Sequence, residues 1–233
     1  MQRFFINPAE INGEQVALSS PAILHQINRV LRMKNGDRVI FLDNTGFEYE
    51  AAMEKSSDKN GEFHILEKRK NMAEPELFLT LYQAMPKKRE LFELVLQKGT
   101  EIGVSAFVPL VTEHTERLEI GNIERLQRIL REAAEQCGRG KIPQLMPAST
   151  FDEMIENEKS AVKIIFHEKA ELDTNLKERG QKSALAVGPE GGFSVKEVEN
   201  AKNHGWRIVS IGPRVLRTET AGIVGAALLL LGE

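Results

Sequence analysis

Two glycine-bearing stretches hold the residues best suited to chemistry: Gly188-Pro189-Glu190-Gly191-Gly192-Phe193, and Ile211-Gly212-Pro213-Arg214-Val215-Leu216-Arg217-Thr218-Glu219-Thr220-Ala221. Adjacent glycines let another group approach the backbone without meeting a Cβ. Three readings stay open for such a loop: a tight turn and nothing more, a phosphate cradle at a helix N-terminus, or a pocket that recognises its ligand through amides and carbonyls. The chain has neither G-x-x-x-x-G-K-[ST] nor G-x-G-x-x-G, so both common phosphate fingerprints are missing. Arg214 and Arg217 add planar cationic donors, which suit an anionic or electron-rich substrate.

Other chemistries find little support. His25, His64, His114, His167 and His204 are scattered without H-E-x-x-H or Cys/His ligand spacing, so each is expected to be solvated or hydrogen-bonded, and no metal site is expected. Cys137 is the one cysteine; alone it cannot build an intramolecular disulfide, and it fits a reducing cytosol. No G-x-S-x-G elbow is present to anchor a hydrolase triad. Arg131, Glu135 and, nearly, Arg139 recur at i, i+4 spacing, which would line up alternating charges on one helix face. From spacing alone, that face reads as a solvated one.

The elements that must position these residues follow from periodicity. Residues 184–187 and 208–211 read as buried strands, each feeding one glycine loop. Loops leaving the carboxyl ends of adjacent strands are where open α/β sheets bind ligands. Ser194 with Glu197 forms a capping box, so a helix should start just past Gly192 and run towards His204. Thr218 is expected to cap the last helix, with Glu219 against its positive end. The apolar tail 221–231 is too short to span a bilayer and reads as a helix buried on most faces.

Upstream, residues 4–6, 38–42, 47–53 and 63–66 look like short strands, with one helix over 21–33, which together suggest a small β-barrel. Asn35-Gly36-Asp37 and Asp43-Asn44-Thr45-Gly46 are the clearest turns between them. The charged run from Lys68 to Pro75 marks a domain boundary. Beyond it, strands at 77–82, 106–110 and 161–166 alternate with helices near 87–101, 123–136 and 151–156, as in a mostly parallel sheet covered by helices. The 233 residues carry 41% hydrophobic and 28% charged residues and a net charge of −3. That balance suits a globular chain and leaves nucleic-acid binding to local basic clusters.

The two glycine stretches, together with Glu132-Ala133-Ala134-Glu135-Gln136-Cys137-Gly138-Arg139, resemble the small-subunit ribosomal RNA methyltransferase E family of the SPOUT methyltransferases. The segment from His25 to Asp37 is similar to that family's PUA-like RNA-binding domain, and Lys98 to Val104 to its first catalytic-domain helix. Five motifs in series extend the resemblance over nearly the whole chain. It implies a PUA-like RNA-binding β-barrel over 1–72 and an α/β methyltransferase domain over 73–233, with a trefoil-knotted, mostly parallel sheet and helices on both faces. It further implies a cytoplasmic homodimer that binds S-adenosylmethionine and methylates N3 of a uridine near the 3′ end of 16S ribosomal RNA in the small ribosomal subunit, with neither a membrane nor a metal involved.

On the same resemblance, the cofactor is expected to contact Phe166, Val187, Gly188, Pro189, Glu190, Gly191, Ile211, Gly212, Val215, Leu216, Arg217, Thr218 and Thr220. Arg217 is the first choice to stabilise charge on the uracil carbonyls and Arg139 the second; Glu219 is expected to orient an arginine in preference to accepting the proton, because a carboxylate beside a helix N-terminus and arginines stays ionised and weakly basic. RNA contacts are expected from Arg3, Arg29, Arg32, Lys34, Lys87, Lys88, Arg89 and Arg131.

Overall fold

The computed structural model describes residues 1–171 and 182–231. They form two compact units, Met1–Glu74 with Ala134–Ile142, and Pro75–Ala133 with Pro143–Glu233.

The first unit contains β1 (Arg3–Phe5), β2 (Ile11–Asn12), β3 (Gln15–Leu18), α1 (Pro21–His25), β4 (Arg38–Leu42), β5 (Phe47–Ser56) and β6 (Gly61–Lys70). The strands form one six-stranded sheet in the order β1-β4-β5-β6-β3-β2. Only the β1–β4 pairing is parallel among those of the described residues. Its core gathers Phe4, Val16, Leu18, Leu24, Ile27, Phe41, Met53 and Phe63, with the Phe41 and Phe63 rings edge-on at 4.9 Å. The turns at Gly36, Asn44 and Gly46 have φ of +90°, +63° and +100°, the left-handed conformation that glycine and asparagine tolerate.

The helix anticipated over 21–33 is two pieces. α1 gives way to a π-helical stretch, Gln26–Val30; Leu24 and Ile27 are fully buried, while the wider turn carries Val30 off their face and leaves it 65% exposed. β2 and β3 escaped the sequence reading because two to four residues give too little periodicity to register.

The second unit runs β7 (Phe78–Ala84), α2 (Arg89–Ile102), β8 (Ala106–Val111), α3 (Ile123–Cys137), β9 (Gln144–Leu145), β10 (Ser149–Thr150), α4 (Phe151–Asn157), β11 (Val162–Phe166), β12 (Lys182–Val187), α5 (Val195–Asn203), β13 (Arg207–Val209) and α6 (Thr218–Leu230). The last turn of α3, from Ala134, counts with the first unit. The sheet order is β10-β8-β7-β12-β11-β13, with β9 beside β8, and every pairing among the described residues is parallel.

Strand alternation divides the core between the two faces of this sheet. Tyr82, Ala84, Val108, Leu110, Ala184 and Ala186 pack with α4 and α5 through Phe151, Met154 and Ala201. On the other face Gly99 of α2 sits against Phe107, and Gly225 of α6 against Phe166 and Leu185. α5 begins with the expected capping box: Ser194 Oγ accepts from Glu197 N, and the Glu197 carboxylate accepts from Ser194 N. Among the described residues no helix is long and apolar enough to cross a membrane.

Candidate functional site

β12 is buried almost throughout and ends at Val187, where Gly188 turns the chain out of the sheet. A Cβ at Gly188 would stand 3.2 Å from the Gly192 carbonyl carbon and the Phe193 ring. The loop therefore folds back on itself, closed by Gly192 N–H donating to Pro189 O at 2.9 Å. Phe193, 6% exposed, anchors its far end in the core beside Phe151. Glu190 stays outside, accepting from Lys87 N–H at 3.0 Å.

The second loop leaves β13 through Ser210, whose hydroxyl donates to Gly212 O at 3.0 Å. It ends at Arg217, the N-cap of α6, which makes no side-chain capping bond. Thr218, expected to be that cap, is instead the first helical residue. Its hydroxyl donates to Gly188 O at 2.6 Å and accepts from Gln83 Nε2 at 2.8 Å. The stronger demand is the buried Gly188 carbonyl, which has to be paired, so the hydroxyl turns away from the helix end.

A pocket of about 630 Å³ lies between these loops, within the usual size for small-molecule sites. β12 and β13 are not neighbours as anticipated: β11 lies between them. The chain leaving β11 supplies a third wall, Phe166, His167, Glu168 and Lys169. His167 Nδ1 accepts from Lys169 N–H at 3.2 Å, which puts the neutral ring's hydrogen on Nε2, and burial holds its pKa below the usual histidine value.

Of the residues expected to bind a cofactor, Phe166, Val187, Gly188, Pro189, Glu190, Gly191, Ile211, Gly212, Val215, Leu216, Arg217 and Thr218 line the pocket, joined by Arg214 and Glu219. Thr220 is outside that lining. Lys87, Lys88 and Leu91 close one side. Glu219 is 7% exposed and shares the pocket lining with Arg214 and Arg217; it forms no ion pair among the described residues.

Arg139 belongs to the first unit. Gly138, with φ of +83°, ends α3 one residue earlier, so Arg139 does not continue the Arg131–Glu135 face. Its guanidinium is 4% exposed and pairs with Glu74 at 3.0 Å.

The residues expected to meet RNA differ in freedom. Arg32, Lys34 and Lys88 are exposed, and Arg131 is exposed but engaged within the protein. Arg29 is exposed but bonded to Asp58 at 2.7 Å, and Lys87 to Glu116 at 2.8 Å. Arg3 and Arg89 each bury Nε, against Gly138 and Gly121 respectively. Among the described residues no group of three or more His, Cys, Asp or Glu converges as a metal ion would require.

Sequence reasoning passed over Gln83, His114, His167, Glu168 and Lys169. A lone glutamine closing an apolar strand was a usable signal for Gln83, because a buried amide must find partners. The His167 wall depends on strand order, which no local pattern carries.

Residues 73–230 match the RNA methyltransferase domain family, and residues 27–66 the RNA methyltransferase PUA domain family. The chain is 35% identical to ribosomal RNA small subunit methyltransferase E of Synechocystis sp., covering 97% of this chain and 76% of that protein. It is 28% identical to the Bacillus subtilis protein of the same name, over 95% and 93% of the two chains. The crystal structure of ribosomal RNA small subunit methyltransferase E from Neisseria gonorrhoeae, bound to S-adenosyl methionine, superposes with a TM-score of 0.88 at 28% identity, covering 97% of this chain and 95% of that one. A putative methyltransferase from Legionella pneumophila, in complex with the same cofactor, gives 0.83 at 30% identity, again over 97% and 95%. By sequence and by fold, this chain belongs to the ribosomal RNA small subunit methyltransferase E family.

Proposed function

We propose that this chain is an S-adenosylmethionine-dependent methyltransferase that modifies N3 of a uridine near the 3′ end of 16S ribosomal RNA in the small subunit. The observation that carries this reading is the glycine-lined pocket between the 188–193 and 210–218 loops. Gly188, Gly191 and Gly192 lie in its lining and present backbone with no side chain in the way, and no phosphate-binding lysine motif accompanies it. Those features fit a phosphate-free ligand, and the cofactor named for the two related crystal structures is one.

Phe166, Val187, Ile211 and Leu216 supply apolar walls for its adenine, while backbone groups of Gly188, Gly191, Gly212 and Leu216 supply polar contacts. Thr220 stands behind this lining, one residue past Glu219 on α6. When bound, S-adenosylmethionine supplies an electrophilic methyl group on a sulfonium. The chain's own residues must then favour the uridine N3 anion, since a neutral imide is a poor nucleophile. Arg217 stabilises the charge that develops on the uracil carbonyls, a kind of contribution worth about 3 kcal/mol when preorganised. Arg139 is the second candidate, its guanidinium held by Glu74. Glu219, in the same lining as Arg214 and Arg217, orients an arginine in preference to accepting the N3 proton itself. Holding both reactants at attack distance contributes up to ~7–11 kcal/mol.

The two sequence regions divide the labour: 1–72 as the PUA-like RNA-binding barrel and 73–233 as the catalytic domain. The trefoil knot rests on the resemblance of the two glycine stretches to the SPOUT methyltransferases. A homodimer is supported by α6, apolar on every side yet leaving Val224 and Leu228 exposed at 36% and 41%. Ribosomal RNA as substrate places the work in the cytoplasm.

The test is methyl transfer from labelled S-adenosylmethionine to small ribosomal subunits lacking the modification, followed by nucleoside analysis. N3-methyluridine is the expected product. Another methylated nucleoside would redirect the target, and absence of cofactor binding would sink the enzymatic reading.

A further inference from the structure

The 188–193 loop is steadied by the segment that follows β8. Glu113 N–H donates to the Glu197 carboxylate at 2.9 Å, and this bond sets the next residue, His114, beside the loop. His114 Nδ1 lies 3.1 Å from the carbonyl oxygens of both Gly191 and Gly192. Carbonyls only accept, so Nδ1 must carry its hydrogen and share it between them. A Cβ on Gly191 would stand 3.1 Å from the His114 Cβ, so the glycine is what lets the imidazole stem lie against the loop. The same segment is tied again by Glu116, which pairs with Lys87 at 2.8 Å; the backbone N–H of Lys87 in turn holds Glu190. His114 itself does not line the pocket.

We propose that His114 is a positioning residue for cofactor binding, an inference that rests on reading the pocket as the S-adenosylmethionine site. Gly191 and Gly192 are adjacent residues with no Cβ to restrain their backbone. One shared N–H fixes both of their peptide planes, so the loop is formed before the ligand arrives and the cost of ordering it is not charged to binding.

Calorimetric titration of S-adenosylmethionine into the full chain and its His114→Ala, His114→Asn and His114→Gln variants tests this. An asparagine amide reaches the position of Nδ1, whereas a glutamine amide reaches beyond it. Expected are a roughly five- to tenfold loss of affinity in the Ala and Gln variants, wild-type affinity with Asn, and melting temperatures unchanged in all ligand-free proteins. In turnover the KM for S-adenosylmethionine rises while kcat holds. Equal affinity of wild type and His114→Ala overturns the proposal, as does a loss that Asn fails to restore. If the wild-type chain binds no S-adenosylmethionine, the pocket assignment falls and the ligand role with it. Amide exchange at Gly192 and Phe193, whose N–H groups share the two clamped peptide planes, separates the two failures in the ligand-free proteins, because the clamp predicts faster exchange in His114→Ala without any ligand.

Discussion

The Thr218 hydroxyl donates to the Gly188 carbonyl at 2.6 Å, joining the first residue of α6 to the last turn out of β12. Gln83, fully buried at the end of β7, completes the chain by donating to the same hydroxyl and to Ala84 O. Two loops separated in sequence by a helix and a strand are thus held by one side chain. Thr218→Val keeps the shape but leaves the Gly188 carbonyl without its donor and removes one acceptor from Gln83. The expected loss is about 1–3 kcal/mol of stability, read from urea unfolding, together with weaker S-adenosylmethionine binding. Thr218→Ser, which keeps the hydroxyl, should recover both.

Arg217 and Arg139 are expected to fail differently. Arg217 is exposed at the N-cap of α6 and lines the pocket, so Arg217→Ala should leave melting intact and lower kcat by roughly a hundredfold or more, far more than it weakens cofactor binding. Arg139→Ala leaves the Glu74 carboxylate, 20% exposed, with only the Lys141 N–H to hold it among the described residues and should cost about 3 kcal/mol of stability. Parallel denaturation and turnover measurements distinguish them. Undiminished kcat in Arg217→Ala would remove that residue from the chemistry.

The contrast between those arginines shows what the sequence could carry. Helix ends governed by local chemistry were legible: the Ser194–Glu197 box, and the glycines of the two loops. Thr218 was misread because an N-cap bond and a tertiary bond draw on the same hydroxyl, and only the fold reveals the buried carbonyl that wins. Arg139 was misread because the i, i+4 pattern ignores Gly138, whose positive φ ends the helix. The pocket's third wall was invisible because β11 comes between β12 and β13 by topology and not by any residue pattern.

Asp43 should make the first unit sensitive to acid. Burial pushes its carboxyl up, but donors from Thr45 N, Thr45 Oγ1 and Tyr49 Oη, at 2.9, 2.6 and 2.9 Å, more than offset this and leave the pKa below its usual 3.8. A depressed folded pKa means that the native state holds fewer protons than the unfolded chain. Its stabilisation is therefore present above the ordinary aspartate value and is lost as pH falls through and below it. Tyr49, whose own pKa burial and Asp43 push up to about 12, is one of those donors. In Tyr49→Phe the unfolding free energy should depend less steeply on pH in the acid range, and an unchanged slope would show that the tyrosine bond is not coupled to the titration.

Gly225 sets how closely α6 approaches the sheet. A Cβ there would overlap the Phe166 ring and stand 2.8 Å from Leu185 Cδ2. Gly225→Ala gains helix propensity but must push the helix off β11 and β12, where overpacking typically costs 1–3 kcal/mol, about the size of the expected loss. Because Phe166 also lines the pocket, S-adenosylmethionine affinity should fall with it. A stabilised variant with full affinity would mean that the sheet yields freely at this point.

RNA binding should sort the basic residues by how committed they already are. Lys88 and Arg32 are exposed and form no ion pair among the described residues, so each can exchange counterions for a phosphate. Replacing either with Ala should reduce the slope of log affinity against log salt by about 1. Lys87 is engaged with Glu116, yet both side chains are more than half exposed; such a surface pair is worth little and yields to a phosphate, so Lys87→Ala should flatten the slope as well. Arg3 behaves otherwise, since its Nε is buried and its guanidinium lies against Gly138. Arg3→Ala should leave the slope near wild type and instead lower the melting temperature. A flattened slope in Arg3→Ala with stability intact would place that guanidinium on the phosphate backbone.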